Sequence, residues 1–340
     1  MVKSMLSMPR DVSTQRYRTR GRRTLVVRWG SQTRGVCRAD AERVMPNDYN
    51  WRADDMTRTI DPIVSTELLA EQLGSEGLLV LDIRWAEEYE AGHIPGAVSV
   101  PFGLVSAWAD SGELILELPE TEGLLKTIGD AGISADTRVV VVGPLPGPGV
   151  PPYPLADSVR VAVTLIYAGV KNVAVLAGGH AKWESEGRET TGEVPQVTPV
   201  AYSSPVDRDS WVSTEYVKEH IGKSVIIDGR DPDAYFGASI DSFADVRGHI
   251  PSARCLPLIW VWEEDGTYRP FELIGDMAAG VVGMDKDQEI ICYCGAGGYA
   301  GAWWYLLTQL FGYTNVKIYD GSFEAWVDEG NPIVAYTWTE

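Results

Sequence analysis

At 340 residues the chain has room for about two domains of roughly 150 residues each. Its 45% hydrophobic and 10% aromatic content is enough to give each a core, which excludes a disordered or fibrous protein. Lys and Arg number 29 against 48 Asp and Glu, a net charge of −19 that argues against a nucleic-acid partner, and no apolar run approaches the ~20 residues that cross a bilayer.

The amino terminus departs from this balance. Residues 1–38 carry Lys3 and nine arginines, from Arg10 to Arg38, against the single acid Asp11, so this stretch stands at +9 and the remainder at −28. An Arg-rich, acid-poor start is compatible with an organellar transit peptide, but residues 1–58 are read as a basic tail that takes no part in function, with Met45 and Met56 as alternative starts. A secretory signal is not expected, because no apolar stretch of about 7–15 residues follows the charges. Cys37, Cys255, Cys292 and Cys294 make no disulfide framework for a chain of this length, which points to a reducing compartment and the cytoplasm. Nor do they and the scattered His93, His180, His220 and His249 offer the spacing of a structural metal site.

Beyond the tail the elements come in two rounds. Short apolar runs at 78–82, 139–142 and 173–176 lack polar alternation and predict strands buried on both faces of a parallel sheet. Helices are expected near 65–73, 121–130, 156–168 and 179–187, with Thr66 as a cap of the first. Residues 191–210, rich in Thr, Pro and Ser and without periodicity, form a linker. The pattern then returns, with strands at 225–228, 290–293 and 316–319 and helices near 213–221, 271–280, 300–311 and 322–329, the last capped by Ser322.

The recurrence extends to the residues themselves. Leu81-Asp82-Ile83-Arg84 returns as Ile227-Asp228-Gly229-Arg230, and Gly92-His93-Ile94-Pro95 as Gly248-His249-Ile250-Pro251. Gly169, Gly178, Trp183 and Gly187 are matched by Gly312, Gly321, Trp326 and Gly330 at a constant offset of 143. Two copies of one α/β fold follow, over 59–190 and 211–338, each a mainly parallel sheet flanked by helices on both faces. Ligands of such folds bind beyond the carboxyl ends of the strands.

One strand end carries chemistry. Ile290-Ile291-Cys292-Tyr293 runs into Cys294-Gly295-Ala296-Gly297-Gly298-Tyr299, and an apolar helix starts at about Ala300. Glycines at 295, 297 and 298 let the backbone curl with its N–H groups inward. With the positive end of the helix, those groups converge on the Cys294 sulfur, an arrangement expected to lower the thiol pKa and stabilise an anion. Cys294 is therefore the candidate nucleophile, and Cys292, inside the strand, a buried small hydrophobe.

Together these features resemble the rhodanese family, in particular its two-domain thiosulfate and 3-mercaptopyruvate sulfurtransferases, over about residues 61–336. The resemblance rests on the Asp-x-Arg strand ends, the two GHIP segments, the six-residue loop opened by Cys294, and Tyr319-Asp320-Gly321-Ser322-Phe323-Glu324-Ala325-Trp326. It implies tandem rhodanese-like domains, the second catalytic and the first without a nucleophile, in keeping with Gly143 at the end of strand 139–142. It also implies sulfur transfer from thiosulfate or 3-mercaptopyruvate to cyanide or a thiol, through a persulfide on Cys294 and with no metal or organic cofactor.

Because these donors are small anions, Arg230 is the first candidate to bind them, with Arg247 and Arg254 behind it. Gly295, Ala296, Gly297, Gly298 and Tyr299 complete the substrate site, while Asp228 and His249 are expected to support the loop. His93 is a candidate to face that loop across the domain interface, and Trp260, Trp262 and Tyr299 to wall the pocket. The loop also departs from the family. Thiosulfate enzymes commonly have Arg and Lys after the cysteine, and mercaptopyruvate enzymes commonly read Cys-Gly-Ser-Gly-Val-Thr, so Gly295, Ala296 and Tyr299 leave the donor open. A phosphatase of the Cys-x5-Arg type would need arginine where Ala300 stands. The alternative from a different class is a non-catalytic protein that carries a persulfide to a partner.

Overall fold

The computed structural model describes residues 58–145 and 152–338; most of the basic tail, with Cys37, lies outside them. The first copy builds a sheet from β1 (Ile63–Val64), β2 (Leu78–Asp82), β3 (Val98–Ser99), β4 (Arg138–Val142) and β5 (Asn172–Leu176), in the order β1-β5-β4-β2-β3. The second repeats it with β6 (Trp211–Val212), β7 (Val225–Asp228), β8 (Arg254–Cys255), β9 (Ile290–Tyr293) and β10 (Val316–Tyr319), in the order β6-β10-β9-β7-β8. All neighbouring strands are parallel. The unbroken apolar runs take the centre of each sheet because both faces are covered, and β5 and β9 are buried along their whole length.

Register fixes the correspondence between the copies. Asp82 pairs with Val142 and Asp228 with Tyr293, so Gly143 and Cys294 occupy one position, just past the central strand. A Cβ at Gly143 would fall on the Ser158 hydroxyl, so the first copy has filled that place with another side chain.

The helices of the first copy are α1 (Thr66–Gln72), α2 (Ala86–Ala91), α3 (Thr121–Asp130), α4 (Tyr153–Tyr167) and α5 (Gly179–Ser185). Those of the second are α6 (Thr214–His220), α7 (Pro232–Phe236), α8 (Phe271–Val282), α9 (Gly298–Tyr305) and α10 (Ser322–Asp328). The outer strands β1, β3, β6 and β8, two residues each, and the one-turn helices α2 and α7 are additional to the sequence expectation. Elements this short carry no period to detect.

Both expected caps are corrected. The Ser65 hydroxyl, one residue before Thr66, accepts the Leu68 N–H at 3.2 Å, and the Thr66 hydroxyl donates to Glu186 instead. Ser322 sits inside α10 at φ 51°, where its hydroxyl accepts the Cys294 N–H at 3.2 Å and donates to the Tyr319 carbonyl at 2.9 Å.

Helices α4 and α9 pack against each other between the two sheets. Every residue of α9 from Tyr299 to Tyr305 is buried, as an all-round apolar helix requires. At its end the Tyr305 hydroxyl lies 2.8 Å from the Pro62 and Val173 carbonyls of the first copy. The segment 191–210 lies against the first copy, where the Val200 N–H donates to Gly129 O at 2.9 Å and the Tyr202 hydroxyl to Ala168 O at 2.7 Å. No helix among the described residues is long and apolar enough to cross a membrane.

Candidate active site

Cys294 follows β9 directly and is 4% exposed. Its carbonyl accepts the Phe323 N–H at 3.0 Å and that of Gly295 accepts the Glu324 N–H at 3.1 Å. With the Ser322 bond, the first turn of α10 thus clamps the start of the loop. Gly297, at φ 90°, turns the chain into α9 and donates its N–H to Cys294 Sγ at 3.1 Å. A side chain would not fit at either glycine of this turn. A Cβ on Gly297 would lie 2.9 Å from Asp320 Oδ1, and one on Gly295 would strike the Phe243 ring.

The expected cradle of amides is present; the expected lowered pKa is not. Burial pushes the Cys294 thiol above its ordinary value, and the amides of Ala300, Ala296, Tyr299 and Gly297 offset that only in part. Cys292, fully buried in β9, is pushed up further by burial and by Cys294. The described cysteines are all free.

Arg230 borders the cavity above Cys294, but its guanidinium is already engaged. It grips Asp228 through Nε at 3.0 Å and Nη2 at 2.6 Å, the Gly248 carbonyl at 2.8 Å and Asp241 at 3.0 Å, and it stacks 3.9 Å over the Phe323 ring. The counterpart Arg84 holds Asp82 at 2.7 Å and the Gly92 carbonyl at 2.9 Å in the same way. Asp228 also accepts the Tyr293 hydroxyl at 2.7 Å, which in turn accepts the Ile250 N–H, so the GHIP turn is tied to β9.

Several expected residues stand elsewhere. Arg247 is not among the cavity-lining residues, since its guanidinium donates to the Gly237 and Ala238 carbonyls at 3.0 and 2.6 Å, and Arg254 reaches the Val281 carbonyl. His249 stacks on Tyr235 at 3.8 Å, and His93 does the same on Tyr89. His93 also bonds the Tyr89 and Glu193 carbonyls, so it does not face the Cys294 loop. Trp260 is exposed, and Trp262 packs behind Tyr299 with ring centroids 6.5 Å apart.

The cavity itself measures about 770 Å³ and is lined by both copies. The loop residues Gly295, Ala296, Gly298 and Tyr299 form its floor with Cys294, and Phe243 and Asp231 one wall. The opposite wall comes from the first copy: Trp85, Phe102, Leu116, Tyr153 and Asp157. Tyr153 stands 5.7 Å from Tyr299 and 6.4 Å from Phe243, ring centre to ring centre. This wall escaped the sequence reading because it belongs to the copy that has Gly143 where the other has Cys294. One signal was available: Asp157 and Arg160 are the only charges on the otherwise apolar α4.

The rhodanese-like domain profile matches residues 65–186 and 213–329. The chain belongs to the rhodanese family. Its two rhodanese domains, each with a five-stranded parallel sheet flanked by helices, run nearly the full length of curated relatives. A protein of Saccharopolyspora erythraea named "Putative thiosulfate sulfurtransferase" is 29% identical over 79% of this chain and 93% of its own. The sulfur carrier protein TtuD of Thermus thermophilus is 30% identical over 78% of this chain and 93% of its own. Among solved structures, the anaerobic ergothioneine biosynthesis enzyme of Chlorobium limicola, in complex with its natural substrate trimethyl histidine, shares the fold. The TM-score is 0.67 at 23% identity, over 81% of this rhodanese chain and 70% of that one.

Proposed function

We propose that the chain is a sulfurtransferase, moving a sulfane sulfur from thiosulfate or 3-mercaptopyruvate to cyanide or a thiol through a persulfide on Cys294. The observation that carries this reading is the single cysteine at the cavity floor, its sulfur 3.1 Å from the Gly297 nitrogen. With thiosulfate, the Cys294 thiolate attacks the outer sulfur, the S–S bond breaks, and sulfite leaves with the electron pair. Cyanide then attacks the outer sulfur of the persulfide, forming thiocyanate and returning the Cys294 thiolate. Splitting the transfer into two displacements is the gain of the covalent intermediate.

The persulfide is a stronger acid than the thiol it replaces, so the amides of Ala296, Gly297, Tyr299 and Ala300 act as its counter-charge. Arg230, its charge offset by Asp228 and Asp241, is proposed to orient the strand end and loop more than to capture the donor. The names of the relatives support sulfur transfer as the class, and a reducing cytoplasm suits an unpaired catalytic thiol.

The carrier named among the relatives favours a second reading, in which Cys294 is loaded once and discharged only to a protein. Steady-state thiocyanate production separates the two. Multiple turnovers with thiosulfate or 3-mercaptopyruvate and cyanide support the enzyme; one sulfur taken up on Cys294 with no thiocyanate released supports the carrier; no sulfur uptake by the folded protein refutes both.

A further inference from the structure

The cavity is larger and more acidic than a small dianionic donor alone requires. Its volume of about 770 Å³ is in the range that encloses a drug-sized organic molecule, far more than thiosulfate needs. Four carboxylates border it, Asp157, Asp231, Asp233 and Asp241, and among the described residues its cations are Arg84 and Arg230 alone. Both arginines are bound to carboxylates of their own, Arg84 to Asp82 and Arg230 to Asp228 and Asp241.

Two of the acids have no partner. Asp157 makes neither a hydrogen bond nor an ion pair with any described residue, and burial alone raises its pKa to about 7. Asp231 Oδ1 is buried without a hydrogen bond, and burial, Asp233 and Asp228 hold its carboxyl above the ordinary value. A half-buried carboxylate without a partner is costly, and a site that keeps one offers it to a cation or a strong donor. Around these groups stand the rings of Trp85, Phe102, Tyr153, Phe243 and Tyr299, whose faces attract cations.

Resting on the persulfide reading above, we infer that the sulfur acceptor is an organic thiol carrying a cationic group, which docks among these rings with its charge on Asp157. The acceptor thiolate attacks the outer sulfur of the Cys294 persulfide, the S–S bond breaks, Cys294 leaves as thiolate, and the acceptor departs as its own persulfide. Asp157 takes no part in bond-making; it decides which thiol is held.

Two measurements on the full chain test this. In calorimetry with the unloaded protein, benzyltrimethylammonium binds and benzenesulfonate binds at least about tenfold more weakly. Asp157→Asn weakens the cation about tenfold and Asp157→Glu restores it. Equal affinity for both probes, or a cation affinity untouched by Asp157→Asn, overturns the inference. In the second measurement, sulfur-loaded protein is discharged by thiocholine or by mercaptoacetate at equal thiolate concentration. Thiocholine is expected to be faster by about tenfold, with the ratio falling toward one in Asp157→Asn; mercaptoacetate equal or faster in the native protein refutes the inference. Failure of the protein to take up sulfur while the cation still binds would sink the persulfide reading alone. Sulfur uptake without any preference for the cation would sink the inference alone.

Discussion

Arg160 on α4 of the first domain and Asp320 after β10 of the second are joined at 2.8 Å, with Arg160 wholly inaccessible to solvent. The pair lies beside the Cys294 loop, since a Cβ on Gly297 would touch both partners. It also holds the segment that closes the cavity. Arg160 Nη2 donates to the Leu116 carbonyl at 2.6 Å, and Asp320 Oδ2 accepts the Leu118 N–H at 3.0 Å. Leu116, at φ 62°, is thereby turned into the cavity. The first domain thus helps to position the loop of the second that carries Cys294.

Removing one partner of this pair should be costly. Asp320→Ala leaves the Arg160 charge buried without its counter-ion, and a loss of about 3 kcal/mol is expected in urea unfolding. A change below about 1 kcal/mol would show that Arg160 finds another acceptor.

Gly297→Ala should distort the loop while sparing the fold. The residue must hold φ 90° and its methyl would press on Asp320, a local strain of about 1–3 kcal/mol. Sulfur uptake by Cys294 should fall at least about tenfold, measured as single-turnover loading, with Tm lowered by only a few degrees. Unchanged loading would remove the Gly297 amide from the account.

Asp157→Asn should stabilise the protein, and only at higher pH. The carboxyl titrates near pH 7 in the fold against an ordinary 3.8, with Tyr153, Tyr299, Asp231, Asp233, Asp241, Cys294, Arg84 and Arg230 as the other titratable groups on the cavity wall. Between those values the folded chain keeps a proton that the unfolded chain has lost, so its stability falls as pH rises from about 4 to about 7. The asparagine variant should match the native protein at pH 4 and exceed it by about 4 kcal/mol at pH 8, from ~1.4 kcal/mol for each of roughly 3 pKa units. Equal stability at both pH values would mean that the carboxyl is not desolvated.

The raised thiol pKa of Cys294 has its own signature. Loading needs the thiolate, so its rate should climb about tenfold per pH unit through neutrality. Rapid-quench kinetics between pH 6 and pH 9 would show this, and a rate already flat at pH 6 would contradict it.

How much of this the sequence carries depends on the kind of residue. The central strands and Cys294 are legible because an apolar run, a glycine-rich turn and an internal repeat are local signals. Gly143 is legible as an empty counterpart for the same reason. Arg230 misleads, since a strand-end arginine looks free until Asp228, Asp241 and the Gly248 carbonyl are seen around it. Asp157 and Tyr153 are hidden for another reason: only the packing of α4 on α9 brings them over a cysteine in the other domain.

Whether Cys294 accepts a second sulfur is tested most directly by peptide mass spectrometry after incubation with thiosulfate or 3-mercaptopyruvate. The Cys294 peptide should gain about 32 Da and lose it again on addition of cyanide, with no gain in Cys294→Ser and a full gain in Cys292→Ala. A Cys294 peptide that keeps its mass, or a gain found on Cys292 or Cys255 instead, would contradict the account.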